Sequence, residues 1–433
     1  MNTISSMIFF LANRGMVRAL RHRDYAMYAV AGWFSNIGLW VQRIAVGWLT
    51  WTFTESWTWL GIIVFAEGVT ATIVMPVAGI YADRFDRLAL ARISQMGLMI
   101  IAAALATLTF LGLTNIWILL GLMMLCGAVE GFWTPVRMSI PPNLVPREDL
   151  TSALGISASL FNLAQFVGPA VAGVIIALFE TSDTQFGFAF AFNSVTFLSY
   201  LVVLFLIQLR EEERQNERSD SFFDDFKAGL IYVMKTPGLP LFLFLMLSSS
   251  LCMRPFRELF AGISDGVFGQ GADGLAILTG ATGIGAVVGA LVIANLSNVK
   301  GMVRLMFIFF MIDVAIQIAF ALSPSFIFSV ICAAGMGFAV TTAGIAGQVL
   351  VQSAIHDEMR GRVMSLWGII MRGGVPTGSV ILGSIVSLLG FQLGFLVTTG
   401  VFVLVLAMVI PRSGPLVKRM ESPPSADLQL SEN

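Results

Sequence analysis

Twelve times in 433 residues the chain runs through an apolar stretch of about 20 residues and then breaks at a short polar connection. The stretches fall at 26–53, 58–81, 93–113, 116–136, 151–179, 188–208, 239–262, 274–294, 303–322, 325–352, 363–388 and 393–411. Each is long enough to cross a bilayer core as helix, and a helix satisfies its own backbone polar groups there. The apolar–polar alternation of a membrane barrel strand is absent. A soluble domain is excluded, because 57% hydrophobic residues against 12% charged ones is more apolar surface than such an interior can hide. The expected fold class is an all-α polytopic membrane protein with twelve transmembrane helices.

Charge orients the spans. Alternate connections carry 21 of the 25 Lys and Arg residues, and the connections between them carry none. The basic side is therefore expected to be cytoplasmic, with both termini on it. The longest connection opens on REEERQNERSD and continues as FFDDFKAGLIYVMK, where Phe222, Phe223, Phe226, Leu230 and Val233 recur at helical spacing. It reads as a solvated linker followed by an amphipathic helix on the membrane surface. The expected organisation is a cytoplasmic N-terminal segment 1–25, a six-helix bundle 26–208, the linker with its helix 209–238, a second six-helix bundle 239–411 and a disordered cytoplasmic tail 412–433. MIFFLA near the start lacks a basic flank and a small-residue cleavage site, so no signal peptide is read. Cys126, Cys252 and Cys332 lie inside apolar stretches and suggest no disulfide framework. A net charge of −1 offers no footprint for nucleic acid. The expected partners are the lipid bilayer and a small-molecule substrate, with the chain acting as a monomer.

The halves echo one another at an offset near 210 residues. Gly79 matches Gly289, and VPREDLTSA at 145–153 matches IHDEMRGRV at 355–363. Gly168-Pro169 sits near Val375-Pro376, and Arg43 near Arg254. Duplicated halves point to two pseudo-symmetric six-helix bundles and a transporter whose site lies near the membrane midplane.

The layout, and GIYADRFDRLALAR at 79–92 above all, resembles the major facilitator superfamily. Gly79, Asp83, Arg84 and Arg87 fit that family's cytoplasmic signature between spans 2 and 3. The stretch GPAVAG, with Gly168, Pro169 and Gly173, is similar to the motif that antiporting members carry in span 5. LRHRDYAMYAVAGWFSNIGLWVQ, PVRMSIPPNLVPREDLTSA and MRGRVMSL resemble the enterobactin-exporter-like and macrolide-efflux-like branch. The resemblance implies alternating access, with a cytoplasmic gate in which Asp83 meets groups near the start of span 11. Arg360 and Arg362 are the expected partners, and anchoring by positive charge alone is the competing reading. One position departs from the family: where span 4 usually has an Arg ahead of a Gln-Gly pair, this chain has Gly127 and Glu130-Gly131. The role usually given to that Arg does not carry over.

Eight charged residues fall within spans: Arg43, Glu67, Glu130, Arg254, Arg257, Glu258, Asp313 and Arg372. Each costs about 2.5–3.5 kcal/mol or more at the bilayer centre, so each is expected to face a partner or a wet cavity. Arg43 and Glu67 lie twelve residues either side of Glu55, about 18 Å from the turn, at equal depth and open to an ion pair. Arg254 and Glu258 are spaced to share one helix face, and Pro255 is expected to kink span 7. Glu130 is the first choice for a coupling proton, with Glu67 and Glu258 beside it, because intramembrane carboxylates serve as proton relays. Arg372 is flanked by Gly373-Gly374 and Pro376, which permit local unwinding. Asp313 and Gln317 read as interhelical glue. Asn36, Trp40, Gln42, Arg43, Arg254, Arg372 and Gln348 are the expected substrate-binding set.

The only histidines are His22 and His356, and no phosphate loop, nucleophile elbow or paired metal-ligand motif is present. An enzyme is not expected, nor a metal or other cofactor, and the proton gradient is the expected energy source. Four intramembrane Arg residues favour an anionic substrate. The expected function is proton-coupled efflux of a small organic anion such as a siderophore, across a bacterial inner membrane. Macrolide or multidrug efflux, and uptake of an organic anion, are the alternatives.

Overall fold

The computed structural model describes residues 15–179, 182–209, 222–294 and 301–421. Twelve long helical segments follow one another: α1 Arg23–Thr54, α2 Trp57–Arg84, α3 Arg87–Phe110, α4 Ile116–Ser139, α5 Leu150–Leu178, α6 Ser182–Leu206, α7 Leu239–Cys252, α8 Gly271–Ala294, α9 Met302–Leu322, α10 Phe326–Ala354, α11 Asp357–Leu389 and α12 Phe391–Val409. Among the described residues, eleven spans are long and apolar enough to cross a membrane, counting α7 together with the turns that extend it. The twelfth helix, α1, has 32 residues and carries Arg23, Asp24, Asn36, Gln42 and Arg43 along them.

The chain divides into two compact units, residues 1–53 with 66–216, and residues 54–65 with 217–433. In the first, α3 packs along α4 and α6. Asp86, the second acid of the 79–92 stretch, caps α3 by accepting from the Leu88 amide at 3.0 Å. Arg92 ties α3 to α6, donating to the Leu204 carbonyl at 3.0 Å with its guanidinium 4.6 Å from the Phe205 ring. Part of the charge in that stretch therefore builds a helix start and a helix–helix joint. Ahead of α1, Arg18 and His22 both reach the Asp149 carboxylate at 2.9 Å, docking the N-terminal turn beside the start of α5.

In the second unit α8 and α9 pack on α10, and α7 and α12 on α11. Residues 54–65 belong here: the Thr58 and Ser387 hydroxyls are 2.9 Å apart, and Trp57 stacks on Phe391. A Cβ at Gly61 would collide with the Ser379 backbone, so only glycine permits that approach. The linker helix, Phe222–Lys235, buries Val233, and its Gly229 lies against the Arg362 backbone at the start of α11.

Span 7 departs from the expected kinked helix. Its α-helix ends at Cys252, and the chain continues as a 3-10 turn, Arg254–Leu259, and a π turn, Ile263–Val267. Pro255 donates no backbone hydrogen bond and its ring displaces the carbonyl one turn back, so α geometry stops ahead of it. Gln317 donates to the Met253 carbonyl, at the start of the 3-10 turn, at 2.9 Å, and to Asp313 Oδ2 at 3.3 Å. Asp313 and Gln317 are fully buried, in the gluing role read from the sequence.

Candidate functional site

The ionisable groups of the first unit converge because glycines bring its helices together. Gly127 and Gly131, four residues apart on α4, leave no space for a Cβ against the backbones of Glu67 and Ala71 on α2. This is small-residue packing of the kind that lets membrane helices approach backbone to backbone. The close seam carries Glu67 from α2 and Cys126 and Glu130 from α4 to one place, their ligand-type atoms all within 4.8 Å of one another. The residue that stands where the superfamily has an arginine is thus the contact that assembles this cluster. The spacing of Gly127 and Gly131, four residues apart on one helix face, is the sequence signal for this seam.

Helix α1 completes the group. Arg43 Nη2 lies 3.7 Å from Glu67 Oε1, and its guanidinium is 5.3 Å from the Trp40 ring. The pairing of Arg43 and Glu67 follows from their equal depth on either side of the Glu55 turn. Trp40 is held from behind by α5, where a Cβ on Gly168 would strike the Trp40 side chain. Gly168 and Pro169 are buried and Gly173 half-buried, so this motif sets the spacing between α5 and α1. Gln42 is buried beside the cluster, between α4 and α6. It is 3% exposed, accepts from Asn193 of α6 at 2.7 Å and donates to Cys126 Sγ at 4.0 Å. Asn36 is half-buried on the same helix.

In the second unit, Arg254 donates to Met371 Sδ at 3.7 Å, and its guanidinium occupies the space a Cβ on Gly344 would need. The expectation that Arg254 and Glu258 share a face fails, because the stretch is 3-10 and not α. Glu258 is paired instead with its neighbour Arg257, Nε to Oε1 at 3.1 Å. Helix α11 does not unwind at Gly373-Gly374. It stays helical through Pro376, and Gly374 and Gly378 fit against Ser250 and against Leu251 and Pro255 of the broken span. Arg372 and Gln348 are on the exposed surface of their helices. Of the gate residues, Arg87 and Arg362 are half-buried and Arg360 exposed, and Arg362 Nη1 donates to Met359 Sδ at 3.6 Å. The side chains of Gly79, Asp83 and Arg84 lie outside the described residues.

Charged groups set within apolar, membrane-length helices in both units are an arrangement that transporters use, and the family and relatives of the chain are transporters and not enzymes. The chain belongs to the transmembrane secretion effector family, whose model matches residues 15–431, within the major facilitator superfamily. It is 25% identical over 354 residues to the staphyloferrin A transporter of Staphylococcus aureus (strain NCTC 8325 / PS 47), covering 80% of this chain and 85% of that one. It is 26% identical over 345 residues to macrolide efflux protein A of Streptococcus pyogenes, covering 78% and 82%. Its fold is similar to that of an inward-facing, unoccupied bacterial homologue of the human lysosomal transporter Spinster, with a TM-score of 0.67, 15% identity and coverage of 93% and 99%.

Proposed function

We propose that this protein exports a small organic anion across the bacterial inner membrane by alternating access, in exchange for protons, as a monomer with both termini cytoplasmic. The observation that carries the reading is the Arg43–Glu67–Cys126–Glu130 cluster. Two carboxylates within 4.8 Å, at a depth where charge is expensive, stand beside one guanidinium. One carboxylate balances Arg43, and the other is neutral when it carries a proton. A proton arriving from outside on Glu67 or Glu130 releases Arg43 to hold the anion, and losing that proton to the cytoplasm restores the ion pair. Arg43 suits a planar carboxylate or similar anion. Trp40, beside its guanidinium, offers an aromatic wall. Arg254, on the broken span of the second unit, supplies a further cation, and such discontinuous helices mark binding sites in transporters.

The relative named for staphyloferrin A favours a siderophore as the anion. The relative named for macrolide efflux favours a second reading, in which a large, partly apolar drug is the cargo. Deleting the gene separates them: siderophore in the medium falls under the first, and cells become macrolide-sensitive under the second. The coupling itself is tested in vesicles by substrate-dependent proton movement, comparing wild type with Glu130→Gln. Equal proton movement in both proteins would remove Glu130 from the mechanism. Accumulation on the cytoplasmic side would reverse the direction to uptake.

A further inference from the structure

The second unit has a groove of about 540 Å³, and none of its lining residues belongs to either charge site. Helix α9 forms one wall with Arg304, Ile308, Met311 and Ala315, and Ile410 and Val417 from the end of α12 and the terminal helix face them. The volume is within the roughly 300–1,000 Å³ of small-molecule sites. Arg304 opens the row and Ala315 closes it, eleven residues apart, about 16 Å along the helix. That matches one leaflet of a hydrocarbon core of about 30 Å. Ile308 and Met311 are 44% and 51% exposed, so the row faces outward from a membrane-spanning helix and meets lipid.

The opposite wall is fixed in place. The terminal helix, Ser413–Met420, buries Met420 in the core, and the next residue, Glu421, accepts from the Gly301 and Val303 amides at 2.8 and 2.9 Å. Glu421 therefore caps the start of α9, and its carboxylate is occupied by those amides. Glu421 keeps its negative charge, and two guanidiniums outnumber it near the polar mouth: Arg304 is exposed, and Arg412, also exposed, adjoins Ile410 and Ser413 in the chain with its Nη1 on the Met408 carbonyl. Among the described residues that line the groove, none is acidic.

We infer that this groove holds a single acidic phospholipid, with its phosphate on Arg304 and one acyl chain along the Ile308–Met311–Ala315 row. A cationic mouth on an apolar, leaflet-deep furrow selects a net-negative headgroup over a zwitterionic one. The test uses full-length protein reconstituted in vesicles of phosphatidylethanolamine with a minority of phosphatidylglycerol. The protein is then extracted in detergent and washed, and the retained lipid is identified by mass spectrometry. Wild type is expected to retain phosphatidylglycerol enriched several-fold over its share in the vesicle. Arg304→Gln should keep a lipid but lose the enrichment, whereas Ile308→Trp should fill the furrow and retain less lipid of either kind. Unfolded variants are recognised by their elution profile, and Met311→Trp then replaces Ile308→Trp. Equal enrichment in Arg304→Gln, no enrichment in wild type, or undiminished lipid in both tryptophan variants would overturn the assignment. The readout needs no transport, so it stands or falls separately from the proton-exchange reading.

Discussion

The two units close the same helix pair with the same device and put different chemistry behind it. In the first, Gly127 of α4 lies against the Glu67 backbone of α2; in the second, Gly337 of α10 lies against the Thr282 backbone of α8. The two glycines are 210 positions apart, the offset that relates the halves. Beside Gly127 stand Cys126 and Glu130, and at the corresponding places beside Gly337 stand Met336 and Val340. Close backbone approach is thus shared by the two halves, and the acids stand beside it in one of them only. The second unit carries its charge elsewhere, on the 3-10 break after α7, where Arg254 meets Met371 and Arg257 meets Glu258. A duplicated fold keeps its packing glycines because nothing larger fits, while the residues next to them are free to diverge.

This comparison can be broken by substitution. The largest effect is expected from Glu130→Gln, which should reduce substrate-driven proton movement to background while the protein still inserts and folds. A matching loss in Val340→Gln would show that position, not the carboxyl, to be what matters. Next, Gly127→Val and Gly337→Val should each destabilise by about 1–3 kcal/mol through overpacking, read as a lower Tm in detergent. Only Gly127→Val should also shift the pH dependence of transport, since only it displaces the carboxylates; equal shifts in both would dissolve the distinction. Asn193→Leu leaves buried Gln42 without its 2.7 Å donor and should cost about 1–3 kcal/mol, with the substrate KM little changed. The smallest effect is expected from Asp86→Ala, which removes the α3 cap and should cost about 1 kcal/mol with transport retained. Loss of transport in that variant would move Asp86 from the helix start into the gate.

Part of the candidate site's geometry was legible because depth is linear in sequence along a helix. Arg43 and Glu67, counted equally from Glu55, meet at 3.7 Å. Glu130 was legible as an acid out of place, but not its nearness to Glu67, because which face of α4 meets α2 depends on packing. Gln42 looked like its neighbours and turned inward, since Asn193 and Cys126 offered buried partners that only the assembled bundle supplies. The α spacing of Arg254 and Glu258 misled because Pro255 changed the helix type and not just its direction.

By itself the sequence determined that this chain crosses a membrane twelve times in two related halves, because the cost of burying polar backbone and charge in hydrocarbon leaves one periodic solution. It also determined which charges lie at depth. Only the tertiary structure decided which of them meet, since that follows from helix rotation and separation, set here by glycines at 127, 131 and 168 whose missing Cβ atoms let the backbones close.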